Sequence, residues 1–422
     1  MTDQGALEQI GPEHLLTLYE ITRTMNSSLD FDEVLNTVMD SVMQVTRAQR
    51  GFLMIAADAS DHLQVLVARG MDGETLEEAN AYSTTIVNQV VGTRQPLLTN
   101  NAQYDERYKP GASIIMRGLR AILCAPMLVK GRLIGVVYVD TSLRSGNFTD
   151  SDLRLLSAVA GQAGIAIENA RLYRVAVEKG RMERELQMAR EIQESLLPAH
   201  VPDMPGYQVA AGWRAAREVA GDFYDLFILR DEALGLVIAD VSDKGAPAAL
   251  FMALARSMIR THAYADFSPL DTLARTNALI LEDARSGMFV TVYHSLFRGD
   301  GYSTHVNAGH NPPLLVRARD GAAEFMPRGG RAIGWFADNP LQAVELQLEP
   351  GDVLIYYTDG LTEAENLQQD FFGEERLKAA VLEAAGQSAE DMLNTIVSRV
   401  DEFCAGAPAH DDTTLCVVCY MG

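Results

Sequence analysis

The first clear periodicity lies in "SLDFDEVLNTVMDSVMQVT" (28–46), where Val34, Leu35, Val38, Met39 and Val42 recur three and four apart. That spacing predicts an amphipathic helix, with Asp30 or Asp32 available near its N-cap. Aliphatic and β-branched runs follow: "RGFLMIAA", "LQVLVARG" and "AILCAPMLVKGRLIGVVYVDT". They predict strands, the last of them a hairpin that turns at Lys130-Gly131. "TDSDLRLLSAVAGQAGIAIENARLY" returns to helical spacing, and Thr149 is placed to cap it. Helix, strands and closing helix together predict an α+β domain built on an antiparallel sheet.

From Ile165 to Leu196 the chain stays helical but its pattern narrows. Ile165, Leu172, Lys179, Leu186 and Gln193 fall seven apart, and so do Val175, Met182, Ala189 and Leu196. Glu183, Arg184, Glu185 and Arg190 fill the positions between. An apolar seam of that width, with polar breaks, predicts a short coiled coil or a single helix packed within the chain. Gly180 weakens its middle and Pro198 ends it. A parallel dimer follows naturally from the coiled-coil reading.

Beyond Pro198 apolar strands end repeatedly in carboxylates. "GDFYD" carries Asp222 and Asp225, "LGLVIAD" ends at Asp240, "DVLIYYTDG" at Asp359, and Asp411 and Asp412 stand just before "TTLCVVCY". Each Asp alone is an ordinary turn residue. Together, at strand ends, they would repel one another unless a cation neutralised them. All-oxygen donors without His or Cys suit two Mg²⁺ or Mn²⁺ ions rather than zinc. A pair of such ions activates water for in-line attack on a phosphoryl group. Calcium sites remain the competing reading of the same acids.

Composition narrows the class. At 422 residues the chain is long enough for two cores, and its 48 % hydrophobic content supplies them. Its formal charge of −22 argues against nucleic-acid or anionic-membrane partners. No run approaches the roughly 18 apolar residues of a membrane span. The opening "MTDQGALEQIGPEH" has no basic flank or apolar run, so a cytoplasmic location is expected. The four cysteines, Cys124, Cys404, Cys416 and Cys419, form no disulfide framework. Cys416 and Cys419 would face opposite sides of a strand, which predicts buried thiols rather than a redox or metal pair.

Two resemblances rest on these residues. "STTIVNQVVGTRQPLLTNNAQYDERY" followed by "SIIMRGLRAILCAPMLVKGRLIGVVYVD" resembles a GAF domain over roughly residues 15 to 170. The resemblance implies a small-molecule sensor of unknown ligand; the motif of cyclic-nucleotide-binding members is missing, and Cys124 does not resemble a chromophore attachment site. "AREIQESLLP", "GDFYD", "DVSDKGAPAALFMA", "FVTVYH", "NAGHNPPLL", "GDVLIYYTDGLTEAEN", "FGEERL" and "DDTTLCVV" resemble, in order, PPM-type serine/threonine phosphatases of the SpoIIE and RsbU kind. That resemblance implies a β-sandwich flanked by helices that holds two Mn²⁺ or Mg²⁺ ions.

Carried over, Asp240 would bridge the two ions, with the Val241 carbonyl as a further ligand. Asp359 and one or both of Asp411 and Asp412 would hold the ion nearer the substrate, Asp411 being the better match. Asp222 would serve the second ion, with Asp225 a weaker candidate. Catalytic roles thus fall on Asp222, Asp240, Asp359 and Asp411, and Glu363 would cap or orient. The departures are Asp243 and Ala220, where relatives often have Gly. Ser242 stands where eukaryotic relatives carry a His proposed as general acid. His310 and His410 are the remaining acids to consider, His310 reading better as a structural turn residue.

The expected organisation is a GAF sensor over 1–170, a helical linker over 171–198 and a phosphatase domain over 199–422. The expected substrate is a phosphorylated STAS-type anti-anti-sigma protein, and the expected assembly a homodimer through the linker. The second reading is a ligand-binding signalling scaffold with an inactive phosphatase domain.

Overall fold

The structure, a computed structural model, describes residues 12–25, 27–56, 62–70, 72, 74, 82–100, 102, 121–142, 147–230, 232–265, 268–283 and 287–422. The chain divides into two compact units, Met1–Arg181 and Met182–Gly422. Part of the sensor resemblance, residues 101 and 103–120, lies outside the described residues.

The first unit is built on one antiparallel sheet in the order β2-β1-β5-β4-β3. Its strands are β1 (Arg50–Ala56), β2 (Leu63–Gly70), β3 (Leu97–Thr99), β4 (Ala121–Val129) and β5 (Arg132–Thr141). The β4–β5 hairpin turns where expected: Lys130 and Gly131 have φ of 50° and 79°, the left-handed pair that a tight two-residue hairpin demands. The Phe31–Thr46 helix is capped by Asp30, whose carboxylate accepts from the Glu33 N–H. Its apolar stripe is buried on one face of the sheet with Leu156, Val159, Ala160 and Ala163 of the Asp150–Leu196 helix. Cys124 lies in the core of the opposite face with Phe52, Met54 and Tyr138, where burial pushes its thiol well up. Thr149 caps the long helix, its hydroxyl accepting from the Asp152 N–H at 3.2 Å.

The second unit has two five-stranded antiparallel sheets, ordered β13-β10-β9-β8-β7 and β12-β11-β14-β15-β6. The strands are β6 (Tyr207–Arg214), β7 (Phe223–Ile228), β8 (Leu234–Val241), β9 (Val290–Phe297), β10 (Tyr302–Ala308), β11 (Leu314–Val316), β12 (Ala323–Phe325), β13 (Ala343–Gln347), β14 (Val353–Tyr357) and β15 (Thr413–Tyr420). Leu236 and Ile238 of the first sheet share one core with Leu354, Tyr356, Cys416 and Val418 of the second. The outer face of the first sheet is covered by the Ala246–Tyr264 and Pro269–Asp283 helices. Helices Gly373–Glu383 and Ala389–Cys404 cover the second. The result is a β-sandwich flanked by helices. Cys416 points into the sandwich and Cys419 into the outer core, on opposite sides of β15 as strand alternation requires.

Candidate active site

Strand alternation decides which carboxylates meet. On β8, Leu236 and Ile238 face the inter-sheet core, so Asp240 is the next residue on that face. On β7, Tyr224 and Leu226 face inward, which places Asp222 on the same side just before the strand. On β14 and β15 the inward positions run on to Thr358 and to Thr414 and Asp412. The four strands therefore deliver polar residues to one end of the sandwich, where the apolar filling stops. Thr414 ties them together: its hydroxyl donates to Asp222 Oδ2 at 3.2 Å and its N–H to Thr358 Oγ1 at 2.9 Å. Asp359 follows Thr358 and opens a single helical turn, Asp359–Thr362.

Electrostatics confirms how close these groups are. Burial, and then the charge of Asp240, raises the Asp222 carboxyl well above the carboxylate range. Asp240 is pushed up to about 7, first by burial and then by the charge of Asp359. Asp222 and Asp240 interact directly, so their titration belongs to the pair rather than to either carboxyl. Asp359 is raised by burial and then by Asp411. Glu363 is raised by burial and by the charges of Asp359 and Asp411, which places it at the rim of the cluster.

Asp411 and Asp412 have different surroundings. Asp412 accepts from the Ala216 N–H through Oδ1 and from the Gly221 N–H through Oδ2, each at 2.8 Å. Its two oxygens thereby pin the loop that precedes β7. Asp411 instead meets Lys244, whose ammonium lies 2.9 Å from Oδ2 and also donates to the His410 carbonyl at 3.0 Å. Among the described residues no three acidic, His or Cys side chains stand in a ready ligand group.

Asp225 stands apart. Three residues from Asp222, it faces the other side of the sheet, where it pairs with Arg256 at 3.2 Å and Arg260 at 2.9 Å. Burial outweighs both arginines and leaves its carboxyl above the ordinary range. Asp225→Asn leaves two partly buried guanidiniums without a counter-charge, so it should cost about 3 kcal/mol of stability. A denaturant melt showing a loss under 1 kcal/mol would contradict that role.

The histidines are settled by burial. His310 lies under the site, its Nδ1 2.8 Å from Thr291 Oγ1, and burial lowers its pKa to about 3. It is therefore neutral at physiological pH and does not act as an imidazolium acid. His410 is exposed, 3.9 Å from Glu365. Asp243 adopts φ 78°. That left-handed conformation is one Gly adopts freely and Asp tolerates, and its Oδ1 accepts from the Lys244 N–H at 3.0 Å. Lys244, Thr358 and Thr414 lie inside the motifs quoted above, but nothing in the sequence marks them as part of the site.

Comparison with known proteins agrees with this geometry. Residues 28–168 match the family described as GAF domain, and residues 230–420 match Stage II sporulation protein E (SpoIIE). Protein IcfG of Synechocystis sp. is 32% identical over 271 residues, 57% of this chain and 42% of its own. Phosphoserine phosphatase RsbU of Bacillus subtilis is 26% identical over 238 residues, 56% of this chain and 69% of its own. The chain thus spans less than half the length of IcfG. The SiaA-PP2C domain of Pseudomonas aeruginosa superposes with a TM-score of 0.52 over 58% of this chain and 99% of that domain, at 21% identity, and shares the fold. Among the described residues no helix is long and apolar enough to cross a membrane. Residues 28–168 accordingly belong to the GAF family, and residues 230–420 to the SpoIIE family.

Proposed function

We propose that this chain is a metal-dependent serine/threonine protein phosphatase controlled by its GAF domain. The observation that carries the reading is the gathering of Asp222, Asp240, Asp359 and Asp411 at one end of a PPM sandwich, where burial and neighbouring charge raise the carboxyls of Asp222, Asp240 and Asp359. An all-carboxylate donor set that is partly buried and mutually repelling fits hard divalent cations, Mn²⁺ or Mg²⁺. When bound, a pair of such ions supplies an activated water and neutralises phosphoryl charge.

Asp240 and the Val241 carbonyl would help to hold the two ions. Asp359 and Asp411 would hold one and Asp222 the other. Asp412, its oxygens taken by backbone N–H groups, would shape the loop rather than ligate. Asp411 would have to exchange Lys244 for the ion. The freed ammonium, 43 % exposed, is then available to an incoming phosphate. With His310 neutral, that side chain offers no imidazolium to protonate the leaving serine oxygen.

RsbU carries the name phosphoserine phosphatase, and by that likeness the substrate here would be a phosphoserine or phosphothreonine protein, of the STAS anti-anti-sigma class. The long helix supports a dimer: Leu172, Val175 and Met182, all on the heptad seam, are 57%, 56% and 63% exposed. A second copy packed along that seam would cover them.

The deciding experiment is Mn²⁺- or Mg²⁺-dependent release of phosphate from a phosphoserine protein by the whole chain, with a chelator control. Turnover that needs the metal and stops in chelator is the expected result. No turnover with either metal would favour the scaffold reading.

A further inference from the structure

Between Arg171 and Leu196 the long helix is largely exposed, yet it carries one buried polar side chain. Gln193 is 3% exposed. A buried carboxamide must find partners, and this one finds two on a single residue. Gln193 Nε2 donates to the Ala220 carbonyl at 2.8 Å, and the Ala220 N–H donates to Gln193 Oε1 at 3.1 Å. The side chain thus pairs with the backbone as a neighbouring strand would. Leu197, one turn on, is buried with Phe223, Val241, Ala248 and Phe251.

Ala220 sits two residues before Asp222, and nothing between them is slack. The Gly221 N–H is held by Asp412 Oδ2. A Cβ on Gly221 would stand 3.1 Å from the Val241 carbonyl oxygen, so this backbone is packed directly against the loop that follows Asp240. The Asp222 carbonyl is fixed in turn by Trp213 Nε1 at 3.0 Å. The helix therefore grips the segment bearing Asp222 at its one free end.

We propose that Gln193 is a positioning residue: its carboxamide holds the Ala220–Asp222 backbone so that Asp222 stands beside Asp240. A shift of the helix by one residue moves a side chain by about 1.5 Å along the axis and about 100° around it. Either movement breaks both hydrogen bonds. Without them nothing on the helix holds the Ala220 end of the segment that carries Asp222. The inference rests on the metal-dependent reading of the site.

The test uses the full chain with Gln193→Glu and Gln193→Leu. The glutamate keeps the shape and can still accept from the Ala220 N–H, but it opposes the Ala220 carbonyl. The leucine removes both bonds. Calorimetric titration with Mn²⁺ should show the metal Kd rising at least tenfold in Gln193→Glu, and further in Gln193→Leu if that variant folds. Hydrolysis of p-nitrophenyl phosphate should need correspondingly more Mn²⁺, while kcat at saturating Mn²⁺ stays within threefold. A merely structural role would lower the melting temperature in chelator and leave the Mn²⁺ Kd alone, and that result overturns the proposal. If the wild type binds Mn²⁺ in a Gln193-dependent way but releases no phosphate, the phosphatase reading falls and this one stands. A wild type that binds no Mn²⁺ overturns both.

Discussion

Asp240→Asn and Asp359→Asn should each lower metal-dependent phosphate release by about a thousandfold or more, because each removes a carboxylate from the charge centre of the site. The amide keeps the volume but not the charge. Asp240 is the residue most entangled with the others: its pKa responds to Asp222, Asp359, Asp411 and Asp412 together. Removing its charge also relieves repulsion in the metal-free protein. Asp240→Asn should therefore melt no lower than the parent in chelator. It should lose the stabilisation that Mn²⁺ gives the parent, since a ligand stabilises only what it binds. The pairing of unchanged chelator stability with lost metal response separates a ligand from a structural residue. Retention of more than a tenth of the parent's turnover in either variant would remove that carboxylate from the proposed site.

The sequence made the strand-end carboxylates visible because alternation is local. An apolar run with period two says which face its next residue takes, and Asp240 could be placed that way; Asp359, one position past the inward Thr358, reaches the site only through the helical turn it opens. The same rule separates Asp222 from Asp225, three apart and so on opposite faces, but the reading kept both as candidates. Only the structure supplies the reason to discard one, the Arg256 and Arg260 pair across the sheet face. Asp411 and Asp412 could not be divided from sequence. Their difference lies in backbone N–H groups of Ala216 and Gly221, nearly two hundred positions away along the chain, and backbone donors carry no sequence signal.

Gln193 was hidden for a related reason. At a heptad core position it reads as a polar break in a coiled coil, and its partner is again a backbone. The Asp243 departure was visible as a substitution, whereas its cause, a left-handed backbone at that turn, was not. Helices and hairpins were legible in more detail, since Asp30, Thr149 and Lys130-Gly131 act on neighbours within a few residues.

Gly360 gives the sharpest test of how the site is packed. Beside Asp359 it reads as a hinge, a residue chosen so that the chain can turn. The structure gives a different reason. Gly360 lies in a helical turn and is not among the glycines with positive φ, so its backbone would accept an L residue. What forbids a side chain is proximity: a Cβ there would stand 1.9 Å from the Asp412 carbonyl oxygen and 2.9 Å from its carbonyl carbon. Both atoms are backbone, and no rotamer change can clear them. Alanine normally favours a helix over glycine by about 1 kcal/mol. Here it must force the Asp359 turn away from the Asp411–Asp412 segment, and overpacking against a fixed backbone reverses the sign. Gly360→Ala should therefore lose about 3 kcal/mol or more, roughly 6–12 °C in melting temperature for a domain of this size. Below that temperature it should still lose at least about a hundredfold in turnover, because Asp359 and Asp411 no longer stand together. Gly299, which has no heavy atom within 4 Å of its Cβ position, provides the control. If Gly360→Ala proves as mild as Gly299→Ala, the two strand ends are not in the contact described and the carboxylates need another explanation for their proximity.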